Sequence, residues 1–72
     1  GIEAADMPHA TPDGAGVACF VRGCGTAGFY CRTKPKRVSV DGAAARARYD
    51  KASGLLQVAI PDGWGAEVVL RF

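Results

Sequence analysis

Residues 37–60 read RVSVDGAAARARYDKASGLLQVAI, and this stretch decides the fold class. Val38 and Val40 alternate with polar neighbours as far as Asp41-Gly42, a dipeptide that favours the tight turn of a two-residue hairpin. Beyond it, Ala45, Ala47 and Tyr49 fall on one face and Arg46 and Arg48 on the other, the period-two pattern of a half-buried strand. Asp50 to Gly54 supplies the next turn, after which Leu56, Val58 and Ile60 point one way along a third strand. No part of the stretch keeps the three-to-four-residue spacing of an amphipathic helix.

The same texture extends in both directions. Toward the C-terminus, Pro61-Asp62-Gly63 reads as a turn, and Ala66 to Phe72 as a closing strand with Val68, Leu70 and Phe72 in phase. Toward the N-terminus, Pro35 interrupts the chain after Phe29-Tyr30-Cys31, a short strand preceded by loosening glycines at 23, 25 and 28. Val17-Ala18-Cys19-Phe20-Val21 is an apolar run bounded by glycines, hence a buried strand. Residues 1–16, with Pro8, Pro12, Gly14 and Gly16, read as an irregular Pro/Gly-rich lead. Strands separated by turn residues every 8–12 positions indicate an all-β chain, with a small antiparallel β-sandwich or barrel-like module of about five to six short strands over residues 17–72. The expected core is Val17, Phe20, Phe29, Val38, Val40, Tyr49, Leu56, Val58, Ile60, Val68 and Leu70.

Length and charge exclude whole classes of function. At 72 residues the chain is too short for a (β/α)8 barrel or a doubly wound nucleotide fold. It starts at Gly1 and reads as a processed product or a piece of something larger. Nine Lys plus Arg against seven Asp plus Glu give a net charge of +2, without the gathered basic excess of a nucleic-acid module. No run approaches the roughly 18 apolar residues of a transmembrane helix, and the first residues lack the charged start and apolar block of a secretory signal. Neither a nucleic acid nor a membrane is therefore expected as a partner, and no targeting segment is recognised in the chain.

The three cysteines, Cys19, Cys24 and Cys31, are odd in number and cannot all pair within one chain. Their spacing matches no common zinc pattern, and His9 is the only histidine, so no metal site is expected. Reduced thiols fit this pattern best and point to the cytosol, with one intrachain disulfide as the alternative. Gly23-Cys24-Gly25-Thr26-Ala27-Gly28 matches the dinucleotide fingerprint letter for letter. That fingerprint needs a helix to hold the pyrophosphate, whereas Phe29 to Pro35 is aromatic, polar and broken by proline. Glycines that permit a bulge or a close strand approach explain it better, and no cofactor is expected.

Arg32, Lys34, Lys36 and Arg37 form a basic cluster that reads as a solvated loop and a cation-guarded edge strand. Trp64, Tyr49 and Tyr30 are the candidate residues for contact with a sugar or another partner, since aromatic faces stack on apolar sugar faces. The carboxylates fall mostly in turns, where they serve local hydrogen bonds, and Ser39 and Ser53 have no histidine in sequence context. No catalytic residue is assigned.

Gly23-Cys24-Gly25, then Gly28, the aromatic pair Phe29-Tyr30, Lys34-Pro35-Lys36-Arg37, the strand Val38-Ser39-Val40, Tyr49-Asp50 and Gly54-Leu55-Leu56 follow one another in a familiar order. Over residues 17–72 this order resembles the C-terminal region of plant raffinose synthases, seed imbibition proteins and alkaline α-galactosidases of glycoside hydrolase family 36. The resemblance implies an antiparallel β-sandwich packed against a catalytic (β/α)8 barrel. The parent would transfer or hydrolyse α-galactosyl groups, for example from galactinol to sucrose, by a retaining double displacement. None of the barrel motifs occurs here, so the chain by itself is expected to be a non-catalytic module and the parent the enzyme. The alternative is an independent small β protein that binds carbohydrate or a protein partner.

Overall fold

The computed structural model describes residues 1–61 and 63–72. Among them are nine strands and no helix, arranged as two antiparallel sheets. In chain order the strands are β1 (Ile2–Ala5), β2 (His9–Ala10), β3 (Gly16–Gly23), β4 (Gly25–Tyr30), β5 (Arg37–Val40), β6 (Ala43–Ala44), β7 (Ala47–Asp50), β8 (Leu55–Ile60) and β9 (Gly65–Arg71). The larger sheet runs β1-β3-β9-β5-β6, with β2 continuing the β1 edge along β3. The smaller sheet runs β4-β8-β7. The chain is an all-β sandwich, as the alternation predicts.

Register puts the apolar positions in phase. In the larger sheet Val40, Val68 and Cys19 lie in one row, and Val38, Leu70 and Val17 in the next. In the smaller sheet Ala47, Val58 and Ala27 share a row, and Tyr49, Leu56 and Phe29 another. These inner faces meet in a core dominated by Val21, Leu56, Val58 and Val68, all essentially solvent-free.

The chain changes sheets at two corners. The first is Gly23-Cys24-Gly25, where β3 leaves the larger sheet and β4 enters the smaller one. Gly23 and Gly25 have φ of 94° and 116°, a region that only glycine enters without strain. A Cβ on Gly23 would also strike the Gly1 carbonyl oxygen, just before β1, and approach the Glu3 nitrogen of β1 to 3.0 Å. The second corner is Ala45-Arg46, between β6 and β7. There the Ala45 amide donates to Val38 of the larger sheet at 3.0 Å, and the Arg46 carbonyl accepts from Ala59 of the smaller sheet at 2.9 Å.

The turn read at Asp41-Gly42 is present: Val40 pairs with Ala43, and the two loop residues have φ of 51° and 83°, the signature of a type I′ turn. The turn expected at Pro61-Asp62-Gly63 includes Asp62, which lies outside the described residues.

Four expectations need correction. Residues 1–16 are not wholly irregular, because β1 and β2 hydrogen-bond to β3 on either side of Met7-Pro8. The side chains of both strands are largely exposed, so backbone bonding rather than an apolar stripe recruits them and no periodicity announces them. The second strand begins at Gly25 rather than Phe29, its glycines lying within the strand. The single strand read over residues 45–49 is split between two sheets by the second corner. Phe20 is not core: with Cys19 and Val21 inward, strict alternation turns Phe20 outward, where its ring covers Gly65 of β9.

These phases make a direct prediction. Leu56→Ala, emptying a fully enclosed site, will lower unfolding free energy by about 2–5 kcal/mol. Phe20→Ala will cost less than about 1.5 kcal/mol, because its ring is already 40% exposed. Urea denaturation followed by far-ultraviolet circular dichroism measures both, and equal losses would refute the assigned phase of β3.

Candidate functional site: an open mouth between the sheets

The two sheets are joined at the glycine corner, where the Cys24 amide also donates to the Gly1 carbonyl at 3.3 Å. Away from that corner they part. Between the N-terminal half of β3 and the C-terminal half of β4 lies a cavity of about 490 Å³, within the roughly 300–1,000 Å³ typical of ligand sites. Its floor is apolar, made by Val17, Cys19, Val68 and Leu70 of the larger sheet and Phe29 of the smaller. Asp6 stands on one lip and Arg32 on the other, with Tyr30 and Phe72 at the rim. Met7, beside the lip, is 87% exposed.

Local bonds hold both lips in place. On the β4 side, the Cys31 amide donates to Gly54 at 2.7 Å and the Cys31 carbonyl accepts from the Tyr49 hydroxyl at 2.9 Å. The acceptor Gly54 ends a turn built on Asp50. The Asp50 carboxylate accepts from the Ala52 amide and the Ser53 hydroxyl, each at 3.0 Å, and its carbonyl accepts from the Gly54 amide at 2.7 Å. On the opposite side, the Asp6 amide donates to Phe20 at 2.8 Å, and the Asp6 carbonyl accepts from the Cys19 thiol at 3.1 Å.

Phe72 is placed by a separate clasp. Thr11 and Gly16 close a loop through mutual bonds, the Thr11 amide reaching the Gly16 carbonyl at 2.9 Å and the Gly16 amide reaching the Thr11 hydroxyl at 3.1 Å. Inside that loop the Asp13 carboxylate accepts from the Thr11 hydroxyl at 2.5 Å, the Ala15 amide at 3.0 Å and the Arg71 guanidinium at 2.8 Å. The Phe72 amide then donates to Ala15 at 3.2 Å. Those three donors, with the Thr11 hydroxyl foremost, hold the Asp13 carboxyl at a pKa of about 2, below its ordinary 3.8.

The candidate aromatics are not gathered in one place. Tyr30, 82% exposed, and half-buried Tyr49 border a shallow depression at the β7–β8 turn, beside the mouth. Trp64, 97% exposed, precedes β9 at the corner end, its carbonyl accepting from the Gly23 amide at 3.0 Å. The length of β4 separates Trp64 from Tyr30, roughly 17 Å at about 3.3 Å per residue. Tyr49 spends its hydroxyl on Cys31 and serves the fold. Sequence reasoning missed the mouth itself: Cys19, Cys31 and Phe72 meet there only because β3, β4 and β9 converge. The apolar run at 17–21 was the one available signal.

Arg32, Lys34, Lys36 and Arg37 are all exposed, and among the described residues no ion pair engages them. The residues from Gly23 to Gly28 form the corner and part of β4, and among the described residues no helix follows them. All three cysteines are unpaired. Burial raises the pKa of the Cys19 and Cys31 thiols, and for Cys19 the Asp6 carboxylate adds to the effect. Among the described residues there is no group of three or more His, Cys, Asp or Glu that could hold a metal ion, and no helix long and apolar enough to cross a membrane.

No protein-family model matches the sequence, and no curated protein matches it.

Two predictions come from this geometry. Because the folded pKa of Asp13 is depressed, its contribution to stability is present above 3.8 and is lost as pH falls toward about 2. Asp13→Asn will therefore lower the thermal midpoint at pH 6, and the gap from the parent chain will close by pH 2; a gap that persists unchanged at pH 2 would remove the carboxylate from the clasp. The second concerns Cys19, a protonated thiol under the Asp6 carbonyl. It will alkylate with iodoacetamide at pH 7.5 at least tenfold more slowly in the folded chain than in urea, as read by peptide mass spectrometry.

Proposed function

We propose that this chain is a non-catalytic β-sandwich module that works by packing against a larger protein. Following the motif order from Gly23 to Leu56, that protein is an α-galactosyl-transferring or α-galactosyl-hydrolysing enzyme with a (β/α)8 barrel. The observation that carries the reading is the apolar mouth, rimmed by Tyr30 and Phe72 with exposed Met7 beside it. The floor itself is buried, Val68 and Leu70 being almost free of solvent, but Met7, Tyr30 and Phe72 stand exposed around it, and a partner that covers them would seal the mouth. The unpaired thiols fit a reducing compartment such as the cytosol. In this role the chain supplies no reacting group; the parent's barrel carries the chemistry.

A second reading, an independent carbohydrate-binding protein, is favoured by one residue. Trp64 is almost fully exposed at the corner end, the placement of a stacking platform.

An antibody raised to this chain, used to probe a protease-inhibited extract of its source, separates the two. A band many times larger than the chain itself is expected for the module. A single band at the size of the chain, with a Trp64 emission shift on titrating oligosaccharide, would replace the module by the independent binder.

A further inference from the structure

The mouth has the form of a place for one more strand. Its β4 wall is lined by the consecutive strand residues Gly28, Phe29 and Tyr30, not by every second one, and continues into Cys31 and Arg32 beyond the strand. Side chains of alternate residues point to opposite faces, so an unbroken run can line a cavity only along the strand's backbone edge. Beyond the corner, where Gly1 accepts from the Cys24 amide, no described strand pairs with that edge, since β4 is the outermost strand of the smaller sheet. Its free groups can be named from the register. Cys31 donates toward Gly54, and in an antiparallel pair bonded and free residues alternate. Phe29 and Ala27 therefore bond inward to β8, while Thr26, Gly28 and Tyr30 direct their amides and carbonyls outward, Gly28 and Tyr30 into the mouth.

The other outer strands carry the usual protection against unwanted pairing, and β4 does not. Strand β1 carries Glu3, β7 carries Arg48 and Asp50, and β6 is only two residues long. Strand β4 reads GTAGFY, six residues without a charge or a proline. Proteins blunt free edges with such features, so an unguarded edge beside an apolar gap is suited to pairing.

We propose that β4 accepts an extended segment of a partner protein by strand addition, with alternate apolar side chains of that segment filling the mouth. This rests on reading the mouth as a docking surface, but not on which enzyme supplies the partner. Charge selects the occupant. The β4 edge runs into Arg32, Lys34, Lys36 and Arg37, whose cations have no ion-pair partner among the described residues. A segment with acidic residues at the end facing this loop meets complementary charge, whereas a second copy of this chain brings the same cationic loop and the same net +2.

The probe is an eight-residue peptide alternating valine with threonine and ending in two aspartates, titrated into the nitrogen-15-labelled chain. The expected result is shifted resonances and at least tenfold slower hydrogen exchange at the Thr26, Gly28 and Tyr30 amides, with Ala27 and Phe29 already protected. Gly28→Pro removes one outward amide and no bond to β8, and will weaken binding at least tenfold. Tyr30→Glu, at an exposed position, sets a like charge against the aspartates, will also weaken binding at least tenfold, and serves as the second variant should the proline perturb folding. Absence of any change at the three amides at millimolar peptide overturns the proposal. So does equal binding by a peptide N-methylated along its pairing edge, which would leave the mouth a docking surface for side chains and the module reading intact. A free chain that sediments as a dimer with those amides already protected would make a second copy the occupant and overturn the choice of partner. The module reading itself fails by a different result, a native species no larger than this chain.

Discussion

Everything in this fold hangs on the glycine corner at residues 23–25. Two residues with strongly positive φ let the chain leave one sheet and enter the other within a single intervening residue, Cys24. The first strand lies so close that a side chain on Gly23 would meet its backbone. With β3 and β4 tied there and the second corner at Ala45-Arg46 joining the other side, two small sheets enclose a core of valines, leucines and alanines. The same tether explains the mouth. Strands fixed together at one end and belonging to different sheets part toward the other, and none of the described strands lies in the gap between them.

The stabilising polar groups are arranged around that gap. Tyr49 and Gly54 hold the end of β4 through Cys31, the Thr11–Asp13–Arg71 clasp sets Phe72 at the rim, and the Cys19 thiol holds the strand break at Asp6. An ordered rim around an apolar floor is what a docking surface requires, because groups already fixed lose little freedom when a partner arrives. The lips carry opposite charges at Asp6 and Arg32.

Some of the glycine pattern that looks like a nucleotide motif is thereby accounted for by the backbone alone. Gly23 and Gly25 turn the corner, and Gly28 lies in an edge strand bordering the mouth. Phe20 shows the complementary case, an aromatic that looks like core by composition yet covers the bare backbone of Gly65 from outside. In both, residue type is informative only once the neighbouring strand is known.

The sequence by itself determined the all-β class, the phases of β5, β8 and β9, the Asp41-Gly42 hairpin and the turn after Asp50. Each of these is a local property: period-two alternation reports which side of a strand is apolar, and turn residues report where φ must become positive. Only the tertiary structure decided that β1 and β2 form at all, that the run at 43–50 divides between two sheets, and that Trp64 and Tyr30 stand at opposite ends. It also decided that β4 remains an open edge beside the mouth. These depend on which strand meets which across long separations, and a pairing made by backbone groups leaves no imprint on side-chain periodicity.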